Sequence, residues 1–387
     1  MPVKSAAIIG GGIAGLTAAL ALSGKGVACD VFEQAEQFAE VGAGLQLSPN
    51  ASRVLARLGI LADIEKVWLE PESIRLVSGT SLKALAAVPA EGFARDRWGA
   101  PYGVLHRATL QGILLKAVLS NPLCRLHQGL RIEPTNAASL ATISGSAPPD
   151  IVIGADGVWS RMRRSIAGSG NARFSGHVAW RFVVPRQEAP SFLDRRNVVA
   201  FLGPASHLVC YPLDDAGDFN IVAITTGKTP GETWSAHDGG SGKKLSDSHF
   251  AGWAPGIRSL LASATGVTHW PLYEVGAGHW HDSRNMVLIG DAAHAMLPFA
   301  AQGAAMAIED AYELAETISA QPLPDALTAF EMRRKPRIEA LRKRGDFNRF
   351  AYHARGPIRL GRDLVLSLRP PQSLASDLDW IYGYKSD

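Results

Sequence analysis

Apolar and polar positions along the chain change period several times, and each change marks an element. Ala6–Ile9 is a short apolar run, and glycines follow it at once. From Ile13 to Leu22 apolar residues recur at helical spacing, and Gly24 and Gly26 stop the helix. Ala28–Phe32 reads as the next strand. Residues 51–66 carry Leu55, Leu58, Ile60 and Leu61 in a helical pattern, and residues 73–90 read as strands with a turn at Gly79. The strand-like pair Val104-Leu105 precedes an amphipathic helix over Thr109–Leu119. Ile151–Ile153 is a strand that runs straight into Gly154-Ala155-Asp156-Gly157.

The texture then turns β-rich. Val178–Val184, Asn197–Phe201, His207–Tyr211, Phe219–Thr225 and Val267–Tyr273 alternate or concentrate β-formers, and Gly227–Lys244 reads as a surface loop. Val287–Ile289 returns to a buried strand, and helices follow at 302–320 and 323–350, with Pro336 expected to kink or interrupt the second. The pattern predicts an α/β chain: a Rossmann-like nucleotide-binding domain built from 1–72, 98–172 and 276–320, an inserted, mostly antiparallel sheet from 73–97 and 173–275, and a C-terminal helical region over 321–387.

Composition changes this picture little. A chain of 387 residues with 47% apolar and 19% charged residues is an ordinary globular protein, large enough for two packed domains. A net charge of +3 gives no argument for nucleic acid. The basic run Arg333, Arg334, Lys335, Arg337, Arg342, Lys343 and Arg344 reads as a solvated helix face. Cys29, Cys124 and Cys210 are scattered without metal or disulfide spacing, which fits a reducing compartment. No signal peptide and no membrane span are expected, so the expectation is a cytoplasmic chain, monomer or homodimer, with no metal site.

Three motifs carry the chemistry. Gly10, Gly12 and Gly15 match G-x-G-x-x-G between a strand and a helix, with Ile13 and Ala14 at the helix start. Gly10 allows the tight turn, Gly12 lets a pyrophosphate approach the backbone, and Gly15 lets helix and strand pack closely. Glu33, followed by Gln34, ends the second strand, where a carboxylate accepts ribose hydroxyls and disfavours a 2′-phosphate. Asp156 stands at a strand's C-terminal end, either as a ligand contact or as a helix cap. The third motif runs from Gly290-Asp291-Ala292-Ala293-His294 to Pro298, Gln302, Gly303 and Ala304, where small residues admit a ligand and open a helix. His294 reads as a packing or hydrogen-bonding histidine.

The three motifs in this order resemble the FAD-dependent aromatic hydroxylases, the single-component flavoprotein monooxygenases, over essentially the whole chain. Within that group the chain is most similar to salicylate hydroxylases and 3-hydroxybenzoate 6-hydroxylases, through Gly42-Ala43-Gly44-Leu45-Gln46-Leu47-Ser48-Pro49-Asn50, His106-Arg107, Val178-Ala179-Trp180-Arg181, Tyr211-Pro212 and Asp379-Trp380-Ile381-Tyr382-Gly383-Tyr384. The resemblance implies an FAD-binding domain of the glutathione-reductase type. In it, Gly10, Gly12, Gly15 and Glu33 hold the ADP half, and Arg107 reaches the phosphate or ribityl region. Asp156 lies in a motif linked to FAD and pyridine-nucleotide contacts, Asp291 binds the ribityl chain, and Pro298 and Gly303 border the isoalloxazine. It also implies NADH or NADPH as a transient co-substrate, O₂, and a small phenolic acid as substrate, hydroxylated by a flavin C4a-hydroperoxide.

The inserted sheet is expected to floor the substrate pocket. His207 and Tyr211 lie four residues apart on one strand and so share a face. The resemblance gives His207 the role of base that ionises the phenol, with a surface strand histidine as the alternative. It places Gln302 near the substrate, with a helix-cap side chain as the alternative. Trp180, Phe201 and Cys210 read as core. The absence of arginine within Asn197–Tyr211 lowers a urate reading. Hydroxylation of an N-heteroaromatic such as 6-hydroxynicotinate, or a reductase without oxygen insertion, are the competing readings.

Overall fold

The computed structural model describes residues 2–38, 44–133, 137–145, 147–213, 217–228, 237–238 and 242–386. Gly42, Ala43 and most of the Gly227–Lys244 segment lie outside them. Strand Ser5–Ile9 is central in a five-stranded parallel sheet ordered Met286–Leu288, Ile151–Gly154, Ser5–Ile9, Ala28–Phe32, Cys124–His127. Its central strands Ser5–Ile9 and Ile151–Gly154 and the strand Met286–Leu288 are apolar almost throughout because both faces are covered, whereas Asp30 and the edge strand Cys124–His127 bring in polar residues. Helix Ile13–Ser23 shows the same logic: it carries no polar stripe and packs between the sheet and the helices Arg107–Leu119 and Gly303–Ala320.

The second sheet has eight strands, in the order His237–Asp238, Thr268–Val275, Ala172–Val184, Phe219–Thr226, Ser206–Pro212, Asn197–Gly203, Ser73–Ser78, Ala84–Pro89. Every pairing is antiparallel except that of Asn197–Gly203 with Ser73–Ser78. Side-chain alternation divides the sheet into two faces. One face buries Phe182, Phe201, Cys210 and Ile221 against Phe250, Trp253 and Ile257 of the 242–263 helical segment. The opposite face carries His207, Val209 and Tyr211 and meets Phe299 and Gly44. A two-stranded ribbon, Gly44–Leu47 with Gly103–His106, lies at the junction.

Three expectations need correction. The helix read over 51–66 is two helices, Pro49–Arg57 and Leu61–Glu65, because Gly59 takes a left-handed φ of 76° between them. Pro336 does not interrupt Leu323–Tyr352, a helix of 30 residues. The bond it forfeits would have gone to Met332, whose side chain is 72% exposed, so that turn faces water. The basic run of this helix is not a solvated face: Arg334 is wholly buried and Arg337 nearly so. Cys29 and Cys124 stay free thiols at register-matched positions of neighbouring parallel strands, and both lie near the carbonyl of Ala19 (3.8 and 3.7 Å).

Among the described residues no helix is long and apolar enough to cross a membrane, and no group of three or more His, Cys, Asp or Glu is placed to hold a metal.

Candidate active site

The glycine turn separates into positions that the protein itself requires and one left open. A Cβ at Gly10, where φ is +111°, would lie 2.4 Å from the carbonyl oxygen of Ala155, and one at Gly15 would lie 1.9 Å from that of Gly10. A Cβ at Gly12 would meet no atom within 4 Å. Gly12 is the N-cap of helix Ile13–Ser23 and has no side-chain cap, so the first N–H groups of the helix open onto that space. Glu33 borders it. Its carboxylate accepts the N–H of Gly11 at 2.7 Å and of Ala35 at 2.8 Å, which fixes it at its strand end. Gln111 donates to the carbonyl of Gly11 at 3.0 Å, Gln34 is exposed, and Arg107 is exposed at the start of its helix.

The second and third motifs converge on the same turn. One oxygen of Asp156 accepts the N–H groups of Arg161 (2.8 Å) and Met162 (3.2 Å), so the cap reading holds for that oxygen. The other, Oδ1, is buried without a hydrogen-bond partner among the described residues. Gly290, at φ +57°, packs so closely on Ala14 that an added Cβ would lie 3.2 Å from the Ala14 methyl. Motifs almost 300 residues apart thus meet, and half-buried Asp291 starts a short helix beside the phosphate turn. Pro298 opens a 3₁₀ turn, and Gly303 opens the helix Gly303–Ala320 into space that no atom fills within 4 Å of its would-be Cβ. Ala304 is half-buried on that first turn.

Gln302 stands at the N-cap position but makes no cap bond. It is buried, donates to Ser48 Oγ at 2.9 Å and accepts from Asn50 Nδ2 at 3.1 Å. Beneath it lies an ionic network. Arg334 pairs with Glu309 (2.6 Å) and Asp310 (2.7 Å), and Arg337 pairs with Glu309 (2.7 Å), all at or near zero exposure. Asp310 also accepts the N–H of Gly290 at 2.9 Å and meets His294 Nε2 at 2.5 Å. His294 is therefore a structural partner of Asp310. Burial pushes the carboxyls of Glu309 and Asp310 up, but Arg334 with Arg337 at Glu309, and Arg334 with the His294 hydrogen bond at Asp310, hold them below the usual carboxylate range.

The face of the large sheet that carries His207 and Tyr211 also carries further polar groups. His207 is 2% exposed, so it is not a surface histidine; it packs on Phe299 with ring centroids 5.3 Å apart. Tyr211 lies against Gly44, where an added Cβ would touch its ring. Burial raises the Tyr211 phenol above its usual range. Arg181 pairs in register with Val222 and Val222 with Val209, which places Arg181 on the His207–Tyr211 face. Its guanidinium lies 5.8 Å from the Trp270 ring, and Nε is buried with no partner among the described residues. Burial, and then the charge of Arg107, push it below the usual arginine range. Asn220, opposite Tyr211, accepts the N–H of Gly44 at 3.0 Å and leaves Nδ2 unpartnered.

The sequence reading missed Arg181 and Asn220. Arg181 sits two strands away from His207 and Tyr211, on the same face.

A family profile described as an FAD binding domain matches residues 4–344. The chain is 35% identical over 392 residues to the 3-amino-4-hydroxybenzoate 2-monooxygenase of Streptomyces platensis, covering 98% of this chain and 96% of the relative. It is 31% identical over 398 residues to the 3-hydroxybenzoate 6-hydroxylase of Klebsiella oxytoca, covering 100% and 98%. A salicylate hydroxylase solved as a substrate complex shares the fold with a TM-score of 0.78, at 24% identity and covering 100% and 96% of the two chains.

Proposed function

This chain belongs to the FAD binding domain family, and on that premise we propose that it hydroxylates a small phenolic acid of the hydroxybenzoate or salicylate type, with NADH or NADPH and O₂ as co-substrates. The observation that carries this reading is the pocket face of the large sheet. His207, Tyr211 and Arg181 share it, and Phe299, next to the cofactor-border residue Pro298, packs against His207.

The residues fit the cofactor. The open space at Gly12, the fixed Glu33 carboxylate, the unpartnered Asp156 Oδ1 and the open start of the Gly303 helix suit pyrophosphate, ribose and ring in turn. FAD, when bound there, would supply the oxygen-activating centre. The chain supplies the rest. His207 accepts the phenolic proton, which enriches the ring in electrons for attack by an electrophilic oxygen. The neutral Tyr211 orients the same oxygen. Arg181 and the free N–H of Asn220 offer the substrate carboxylate a cation and a donor. Phe299, buried against His207, gives the reacting centre an apolar wall.

The reading is tested on FAD-loaded protein by following NADH oxidation and product mass under ¹⁸O₂ with salicylate, 3- and 4-hydroxybenzoate, 3-amino-4-hydroxybenzoate, 6-hydroxynicotinate and urate. A benzoate gaining one labelled oxygen supports it. NADH oxidation without label in any product makes the chain a reductase. A labelled product from only the nicotinate or urate moves the substrate to an N-heteroaromatic. His207→Ala should lower hydroxylation about 100-fold or more with FAD retained, the range of a lost general base.

A further inference from the structure

His207 does not stand alone. His353 caps the C-terminal end of helix Leu323–Tyr352, and its carbonyl accepts the N–H of Ala205 at 3.2 Å, which ties that helix end to the hairpin before His207. Its Nε2 lies 2.9 Å from Nδ1 of His207. Phe299 packs on both rings, and His177 joins them with its ring centroid 5.9 Å from that of His353. His207 is buried, whereas His353 is only half-buried.

Two neutral imidazoles at this distance share one hydrogen, donated by one ring and accepted by the other. With Nδ1 of His207 engaged by His353, Nε2 is the nitrogen left to meet a phenol. We propose that His207 and His353 form a two-imidazole relay, in which the proton taken from the phenol at His207 leaves toward solvent through His353. This rests on the hydroxylase reading given above. In the step, the phenol O–H bond breaks and an Nε2–H bond forms on His207. The Nδ1–H of His207 passes to Nε2 of His353, and the Nδ1–H of His353 goes to water. No electrons are exchanged. Both rings end neutral with the bond between them reversed, and the opposite transfer restores the start.

The surroundings make a conduit rather than a store. His207 faces His177, His353 and the Tyr352 ring. His353 faces His177, Arg349 and Arg355, and His177 faces Arg349 and Glu274. Burial first, and cationic or histidine neighbours second, hold all three imidazoles below their usual range, His353 at about 3. At neutral pH a proton therefore does not rest on either ring.

His353→Gln keeps a polar group beside His207 but cannot pass a proton on. It is compared with wild type and His207→Ala as FAD-loaded enzymes from pH 6 to 9. The probe is whichever of salicylate, 3-hydroxybenzoate and 3-amino-4-hydroxybenzoate most accelerates NADH oxidation. The expected result for His353→Gln is a hydroxylation rate reduced about 10-fold at pH 7 that recovers only in part toward pH 9, where hydroxide rises and a phenol of pKa about 10 begins to ionise, with FAD content and substrate Kd unchanged. A wild-type rate and pH profile in His353→Gln beside an impaired His207→Ala would remove the relay and leave the base. A loss equal at every pH makes His353 structural and also removes the relay. Wild-type rates in both variants remove the base as well. If none of the three acids accelerates NADH oxidation, the hydroxylase reading falls and the relay falls with it.

Discussion

The side-chain amide of Asn50 donates to Gln302 and to Glu309 at once, over 3.1 and 2.7 Å. This one nitrogen joins the start of the cofactor-side helix to the buried ions beneath it. Glu309 passes the connection to Arg334 and Arg337, and Arg337 holds the carbonyls of Trp380 and Ile381, each at 3.0 Å. The C-terminal segment is thereby tied to the cofactor site.

Breaking one partner of a buried ion pair leaves the other charged and dry, which costs about 3–5 kcal/mol. Arg334→Met should therefore destabilise the protein by about that amount, since both Glu309 and Asp310 lose a cation. Urea unfolding followed by circular dichroism measures it. A change below about 1 kcal/mol, the range of a surface pair, would show that the network is solvated in solution.

The glycine turn predicts two different failures. Gly12→Ala meets no protein atom and has an ordinary φ of −75°, so the apoprotein should keep its stability but lose FAD affinity at least about 10-fold, because the methyl occupies the phosphate's space. Gly15→Ala places a methyl 1.9 Å from a backbone oxygen and should lower stability itself. Flavin fluorescence and thermal melts of the apoproteins separate the two. Equal melting-point losses in both variants would contradict the open space at Gly12.

Arg181→Met keeps much of the volume and removes the charge. The expected effect is a rise in KM for the phenolic acid of about 10-fold or more, the worth of a charge-assisted hydrogen bond, with FAD content unchanged. Steady-state kinetics of the loaded enzyme decide it. An unchanged KM would take the carboxylate away from Arg181.

Acid should act in two stages. The unfolded chain binds protons on His177, His207 and His353 near pH 6.5, while the folded chain resists them. Their contribution to stability is thus present above that pH and declines as pH falls below it. Asp310 titrates below its ordinary range when folded, so its contribution is present above about pH 4 and is lost on further acidification. Unfolding free energies measured from pH 8 to 3 should fall first between about 7 and 5. His353→Gln should flatten that first decline. A stability constant from pH 7 to 5 would show that the imidazoles are wet.

Local signals were legible where they reside in neighbouring residues. The phosphate turn, Glu33 at its strand end and the shared face of His207 and Tyr211 follow from spacing along one strand or one helix start. Arg334 and Arg337 were misread because sequence shows a basic run but not the acids facing it: Glu309 and Asp310 sit on another helix. Pro336 does not end its helix because the cost of a missing N–H depends on whether the orphaned carbonyl faces water. Arg181 escaped because its strand neighbours Phe219–Thr226, a pairing that only the sheet order reveals.

The sequence by itself determined the cofactor half of this protein. A dinucleotide turn is a contiguous object, and its glycines are dictated by backbone distances of a few residues. The tertiary structure alone decided which distant side chains share a pocket. His207 and His353, 146 residues apart, meet because a helix end is pinned to a hairpin. Arg181 joins Tyr211 because strands pair out of sequence order. Such meetings depend on how elements pack, and no periodicity within one element encodes them.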